Sequence, residues 1–115
     1  MNKLFLLLFF TPIILLAQSL DVLFIGNSYT NANSMPQMVS ELALSFGDTL
    51  NFESSTSGGA TFNTHSTNIN TLNKISQKPW DYVVLQAQSQ EPSFSPNQVA
   101  NDVFPYAQII IDSIE

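Results

Sequence analysis

The chain has 115 residues, of which only 10% are charged, and its formal net charge is −6 at pH 7. This length has room for one domain at most. The acidic balance argues against nucleic acid or anionic membrane as a partner, because phosphate binding needs clustered Lys and Arg and the chain has three such residues in all. Cysteine is absent, so the fold must be stable without disulfides.

The N-terminal residues 1–19 have the pattern of a secretory signal peptide. Lys3 precedes an apolar run over residues 4–16, and small residues follow at Ala17 and Ser19. The run is shorter than the roughly 20 residues that span a bilayer, so we favour a signal over the alternative, a transmembrane anchor. Cleavage after Ala17 or after Ser19 fits the pattern. We therefore expect a periplasmic or extracellular protein that meets the membrane only through this segment before cleavage.

Residues 20–115 alternate strand and helix patterns and are predicted to form one domain. Continuous apolar runs predict buried strands at "DVLFIG" (21–26) and "WDYVVLQ" (80–86). Weaker alternation predicts a strand at "TLNFESS" (49–55). Ser, Thr, Asn and Gly are frequent over residues 54–71, which predicts a long surface loop there.

The first helix is predicted within "NSMPQMVSELALSFGD". Ser34 is the expected N-cap, Gln37 completes a Ser-x-x-Gln capping box, and Gly47 ends the helix. Apolar residues at helical spacing form a stripe that we expect to pack in the core: Met35, Met38, Val39, Leu42, Ala43 and Phe46.

Two further helices are predicted. Apolar spacing indicates one around residues 66–77, and Ser95 followed by Pro96 and Gln98 begins another. Pro105 should kink or restart the last helix.

The order β-α-β-α-β-α predicts an α/β fold with a three-layer, flavodoxin-like parallel sheet, represented by its three N-terminal βα units. In such sheets the ligand site lies beyond the carboxyl ends of the strands. The loops at residues 26–30, 57–61 and 86–92 should therefore share one edge.

Ser28 is the main candidate for chemistry at that edge. A hydroxyl presented at the end of a buried strand can act as a nucleophile if a base removes its proton and donors stabilise the oxyanion. The alternative is that Gly26 turns the chain and Ser28 only satisfies local backbone groups. Anion binding at the helix start is a weaker alternative, since no Lys or Arg is near in sequence.

The other two loops offer donors for an oxyanion. Gly58 and Gly59 leave backbone N–H groups unobstructed, although paired glycines are also ordinary loop residues. Gln86 and Gln88 place amide donors after the last strand, and holding neighbouring loops together is an equally good account of each.

Three stretches in this order resemble the SGNH (GDSL-like) hydrolases. "FIGNSYT" is similar to the first block of that family, Gly-Asp-Ser or Gly-Asn-Ser, and "SGGAT" is similar to the glycine loop of the second. "WDYVVLQAQS" resembles the third block, where the family usually has Gly-x-Asn-Asp. The resemblance covers essentially all of residues 20–115.

The resemblance implies a role for individual residues. Ser28 would be the acyl-accepting nucleophile, and its own N–H, the N–H of Gly58 or Gly59, and a third-block side chain would form the oxyanion hole. The Asn of the family falls on Gln88, with Gln86 as the other candidate for that amide. Substrate contacts are expected from four residues: Asn27, Gly59, Gln86 and His65.

One family element is missing, the Asp-x-x-His that supplies the general base. The chain has one histidine, His65, for which a role as base, a substrate or loop-stabilising role and a solvated position all remain open. We expect an N-terminal part of a longer hydrolase, nearly inactive alone. No cofactor is implied, and one histidine with scattered carboxylates gives no metal-ligand spacing.

The expected function is therefore that of an exported serine ester hydrolase. Its substrates would be small-molecule or glycan esters, with carbohydrate O-deacetylation as the guess by analogy. The alternative is a non-catalytic module that binds a glycan or an acyl group.

Overall fold

The computed structural model describes residues 16–115. Its strands are β1 (Ser19–Ile25), β2 (Thr49–Ser55) and β3 (Tyr82–Leu85). The helices are α1 (Ser28–Asn31), α2 (Met35–Ser45), α3 (Phe62–Thr67), α4 (Ile69–Ser76), α5 (Pro96–Asp102) and α6 (Phe104–Ile114). Short 3₁₀ turns lie at Ala32–Ser34 and Glu91–Ser93.

The described strands form one parallel sheet in the order β2-β1-β3, with β1 in the centre. This arrangement confirms the predicted α/β class and is consistent with the N-terminal part of a flavodoxin-like sheet. The parallel register aligns the carboxyl ends of all three strands, since Ile25 is paired with both Ser55 and Leu85. The three predicted loops therefore leave the sheet at one edge, as expected.

Alternate residues of β1 serve the two layers of the core. Leu23 and Ile25 are fully buried and pack with Phe62 of α3, Ile75 of α4 and Ile110 of α6. On the other face Phe24 meets Phe52 edge to face, and α2 packs over β2. Helices therefore cover both faces of the sheet, which explains why β1 is apolar at consecutive positions.

The predicted signal segment lies mostly outside the described residues. The structure does show that β1 begins at Ser19 and that Gln18 accepts a hydrogen bond from Thr49 N–H at 2.8 Å. Cleavage after Ala17 would leave this strand complete, whereas cleavage after Ser19 would remove its first residue. Within residues 16–115, no helix has the length and apolar character needed to cross a membrane.

The apolar stripe of α2 is only partly in the core, which corrects the prediction for three of its residues. Met38, Leu42 and Phe46 are exposed, and only the other row of the stripe is half-buried. The helix packs on β2, which is an edge strand of the described sheet, and only the row of Met35, Val39 and Ala43 is half-buried. The helical period was sufficient to predict the helix but not its buried side.

The start of α2 also differs from the expectation. Ser34 has left-handed backbone angles, φ 55° and ψ 46°, and its side chain makes no capping hydrogen bond. Gln37 instead donates to Glu41 Oε1 at 2.9 Å. The predicted capping box is wrong, because the preceding 3₁₀ turn brings the chain into α2 from a conformation in which the Ser34 hydroxyl cannot reach the helix N–H groups.

The segment 54–71 is not the long surface loop that its composition predicts. It contains all of α3 and the first turn of α4. Thr61 caps α3 by accepting from Thr64 N–H at 3.1 Å, and Thr64 Oγ1 accepts from Thr61 N–H, so that a Thr-x-x-Thr capping box begins the helix.

The final helical segment follows the prediction closely. Ser95 and Gln98 form a capping box at the start of α5. The chain then breaks at Val103 and restarts as α6, with Pro105 in the first turn. Proline lacks the N–H that a continuous helix would need at this position, so the restart is its expected effect.

Candidate functional site

Ser28 lies at the carboxyl edge of the sheet as the first residue of α1, three residues after Ile25, where β1 ends. Its side chain is exposed and lines an open depression of about 370 Å³ with Tyr29 and Ala32. Being at the first helical position, the Ser28 N–H has no acceptor within the helix. Ser28 is thus exposed to solvent at this edge, and its role as a nucleophile stays a prediction.

Asn27 holds the turn before Ser28 in place. It caps α1 by accepting from Tyr29 N–H at 3.0 Å, and its Nδ2 donates to the Ala60 carbonyl at 3.1 Å. The side chain is only 2% exposed. Asn27 therefore joins the first loop to the glycine loop, and both ends of its amide are already bonded within the protein.

Gln86 fixes the same turn from the third loop. Its Oε1 accepts from Asn27 N–H at 3.0 Å and from Thr30 Oγ1 at 2.9 Å. Gly26 is packed so closely against the side chains of Thr30 and Gln86 that an added Cβ would lie 2.6 Å from Gln86 Oε1. A side chain at position 26 would therefore displace its neighbours, and the side-chain oxygen of Gln86 is engaged by the turn that precedes Ser28.

The glycine loop is a tight turn closed by a hydrogen bond from Ala60 N–H to the Ser57 carbonyl at 3.1 Å. Gly59 has φ 70° at the position where a type II turn requires a positive value. Gly58 is exposed and a Cβ there would meet nothing within 4 Å. The space around these glycines is open, as an approaching ligand needs, and the turn itself explains Gly59.

Gln88 is placed differently from Gln86. Its Oε1 accepts from Gln90 N–H at 2.7 Å, and its own backbone N–H donates to Glu91 Oε2 at 2.9 Å. Glu91 is 6% exposed. These bonds engage the side-chain oxygen and the backbone N–H of Gln88, and its oxyanion role stays a prediction.

His65 is in the interior, 1% exposed, rather than at the surface of the site. Its Nε2 lies 2.7 Å from the Gly26 carbonyl oxygen and its Nδ1 lies 2.9 Å from Thr71 Oγ1. Thr71 Oγ1 in turn lies 2.8 Å from Ser55 Oγ. The ring therefore contacts the backbone just before Ser28 but has no nitrogen free for a substrate or for the Ser28 hydroxyl.

The two lysines of the described part of the chain are in ion pairs on other parts of the sheet. Lys74 lies 2.7 Å from Glu53 and Lys78 lies 2.8 Å from Asp21. The hydrogen bond from Lys78 lowers the pKa of Asp21, and that from Lys74 lowers the pKa of Glu53. An oxyanion at the carboxyl edge would depend on N–H donors. Over residues 16–115, no group of three His, Asp or Glu side chains could hold a metal ion.

The structure brings most of the predicted site residues to one edge, where hydrogen bonds link the loops. Four members of this network were not predicted from the sequence: Thr30, Ser55, Ala60 and Thr71. Thr30 and Thr71 are buried hydroxyl residues in helices, but nothing in a sequence pairs such a side chain with a partner more than fifty residues away, as Thr30 is with Gln86. Ala60 contributes only its carbonyl, for which a sequence has no signal.

Comparisons of the chain with family models, with curated proteins and with solved structures found no match.

Proposed function

We propose that the chain is the N-terminal part of an exported serine ester hydrolase of SGNH type. The observation that carries the proposal is the exposed Ser28 at the first position of α1, just beyond a strand whose last four residues, 22–25, are buried. The loop around it is held by Asn27 and Gln86, so the hydroxyl is presented from a rigid support. Preorganisation of this kind is what nucleophilic catalysis needs.

In the proposed reaction Ser28 Oγ attacks the carbonyl carbon of an acyl ester. The alcohol leaves with a proton delivered by the base, and water then releases the acid from the acyl-enzyme. The Ser28 N–H, the Gly58 or Gly59 N–H and the Gln88 amide are the proposed oxyanion donors. Acetyl esters, carbohydrate O-acetyl groups among them, are the proposed substrate class, and this choice rests on analogy with exported members of the SGNH family that the sequence resembles.

The general base is proposed to be a histidine outside these 115 residues. His65 is the single histidine of the chain, and both its ring nitrogens are hydrogen-bonded in the interior. The 115-residue chain should therefore be nearly inactive by itself.

Turnover of p-nitrophenyl acetate tests the proposal. The protein that carries the base should hydrolyse it, Ser28→Ala should abolish turnover, and Ser89→Ala should not. Ser89 is the matched control because it is also an exposed serine at this edge. Turnover by the purified 115-residue chain that is lost in Ser28→Ala would contradict the assignment of the base.

A non-catalytic module that binds a glycan or acyl group is the second candidate. The burial of His65 favours it, because the described residues then contain no imidazole positioned to activate Ser28. Binding of an acetylated sugar with unchanged affinity in Ser28→Ala, without hydrolysis by the protein that carries the proposed base, would support this candidate over the hydrolase.

A further inference from the structure

A chain of hydrogen bonds connects β2 to the carbonyl group that precedes the candidate nucleophile. It runs from Ser55 Oγ to Thr71 Oγ1 and His65 Nδ1, and from His65 Nε2 to the Gly26 oxygen, over distances of 2.8, 2.9 and 2.7 Å. Thr71 is fully buried and His65 nearly so. These side chains come from β2, α3 and α4, so three elements converge on one peptide group.

The chemistry of the acceptor determines which ring nitrogen carries the proton. A carbonyl oxygen can only accept, so the hydrogen must be on Nε2 of His65. In the neutral ring Nδ1 then accepts from the Thr71 hydroxyl, and Thr71 accepts from Ser55. With the donors assigned in this way, each of the three side chains has a hydrogen-bond partner. This agrees with the absence of unpartnered buried side-chain atoms among the described residues.

Residue Gly26 is held at both of its backbone polar groups, which belong to two successive peptide groups. Its N–H donates to the Ser55 carbonyl at 3.0 Å, and its carbonyl accepts from His65. Ser55 thus bonds Gly26 directly through its backbone and indirectly through its hydroxyl. Ser28 follows two residues later, so the orientation of the Gly26 backbone determines where the Ser28 hydroxyl and N–H point.

We propose that His65 is a positioning residue for Ser28, acting through an Nε2–H that holds the Gly26 carbonyl, with its ring oriented by Thr71. His65 contacts neither substrate nor the Ser28 hydroxyl. Its catalytic consequence rests on the proposed hydrolase function, whereas its effect on the turn does not. The predicted substrate contact of His65 is replaced in this proposal by a contact with the backbone that carries the nucleophile.

Nitrogen-15 NMR of the ring tests the assignment directly, because His65 is the single histidine and its signals are unambiguous. We expect the Nε2–H tautomer, with a ring proton protected from exchange by burial. In Thr71→Val, which removes the hydroxyl but keeps the shape, the Nδ1 resonance should shift and the amide resonances of residues 26–30 should move. A Nδ1–H tautomer, or amide resonances that do not move in Thr71→Val, would overturn the proposal.

Two variants at position 65 separate positioning from folding. His65→Gln keeps an N–H donor near the Nε2 position, whereas His65→Leu keeps apolar bulk without it. Counted per folded molecule, kcat for p-nitrophenyl acetate should fall about 10- to 100-fold in His65→Leu with KM nearly unchanged, since small displacements of a nucleophile have effects of this size. His65→Gln should recover much of the loss, and equal kcat values in the two variants would overturn the proposal.

The NMR and kinetic measurements together distinguish a failure of the proposed function from a failure of the proposal for His65. If the wild-type protein hydrolyses no ester, the proposed function fails, and the tautomer and the amide shifts still decide whether His65 holds the turn. If His65→Leu does not fold, Thr71→Val provides the same decision with a milder change.

Discussion

Asn27 and Gln86 are 59 positions apart, yet the Gln86 side-chain oxygen accepts a hydrogen bond from Asn27 N–H at 3.0 Å. The same oxygen accepts from the Thr30 hydroxyl at 2.9 Å. The loop that follows β3 is therefore part of the support of the turn that follows β1. Because parallel strands bring their carboxyl ends together, this contact between distant segments follows from the sheet topology.

Removing this acceptor should destabilise the protein. In Gln86→Met the Asn27 N–H and the Thr30 hydroxyl lose their partner in a largely buried site, which should lower the free energy of unfolding by about 1–3 kcal/mol. Urea denaturation followed by circular dichroism measures the change. Gln108→Met is the control, because Gln108 donates only to Asp112 on the exposed side of α6 and should change stability little. Equal effects in the two variants would contradict the role of Gln86.

Gly26 and Gly58 should respond differently to alanine. A Cβ at Gly26 would lie 2.6 Å from Gln86 Oε1, whereas a Cβ at Gly58 would meet nothing within 4 Å. Gly26→Ala should therefore cost about 1–3 kcal/mol of stability through overpacking. Gly58→Ala should be nearly neutral. Thermal unfolding of both variants provides the comparison, and a neutral Gly26→Ala would show that the turn is not packed as described.

Stability should decrease with acid through two carboxylates. The pKa of Asp21 and that of Glu53 are lowered, chiefly by hydrogen bonds from Lys78 and Lys74, from ordinary values of 3.8 and 4.5. A lowered folded-state pKa stabilises the protein above the ordinary value, and the contribution is lost as the pH falls through the lowered one. Glu53→Gln should reduce stability near neutral pH by up to about 1 kcal/mol, as partly exposed ion pairs do.

The urea midpoint measured between neutral pH and pH 3 tests the predicted direction of this pH dependence. The difference between wild type and Glu53→Gln should shrink as the pH falls below 4.5. Glu41→Gln is the control, since Glu41 accepts from Gln37 instead of a lysine. A difference that grows in acid would contradict the ion pair.

β1 was predictable from the sequence because burial of residues 22–25 on both faces leaves a continuous apolar run. The strand β3 was also predicted, but not as it is: it lies at an edge of the described sheet, and Tyr82 and Val84 are exposed instead of buried. β2 begins and ends where the pattern places it, at Thr49–Ser55. α3 was not predictable in the same way, since "FNTHST" has no apolar period and the helix begins through a pair of threonines. The buried row of α2 was not predictable either, because it depends on how the helix is placed on the edge strand β2.

The position of Ser28 was predictable, and the environment of His65 was not. A nucleophile candidate at the end of a buried strand is a local pattern, and parallel topology gives its edge. The bonds of His65 to Gly26 and Thr71 depend instead on how α3 and α4 pack beneath the sheet edge. A polar residue within a polar segment gives no sign in sequence that it will be fully buried.

Ser28→Ala should leave the fold intact, because the side chain is exposed and Asn27 caps α1 without it. The amide spectrum of the variant should match the wild type except near residue 28. This result would make the variant a suitable negative control for chemistry at the site. A change in the bonds of Asn27 or Gln86 would show that the hydroxyl is structural.

Covalent labelling by a fluorophosphonate tests the central claim most directly. With the protein that carries the proposed base, an activated Ser28 should form an Oγ–P bond and release fluoride, and peptide mass spectrometry should locate the adduct on Ser28. Ser89→Ala should label like the wild type, and Ser28→Ala should not label. Labelling that persists in Ser28→Ala, or a wild-type protein that is not labelled at all, would contradict the assignment of Ser28 as the nucleophile of an ester hydrolase.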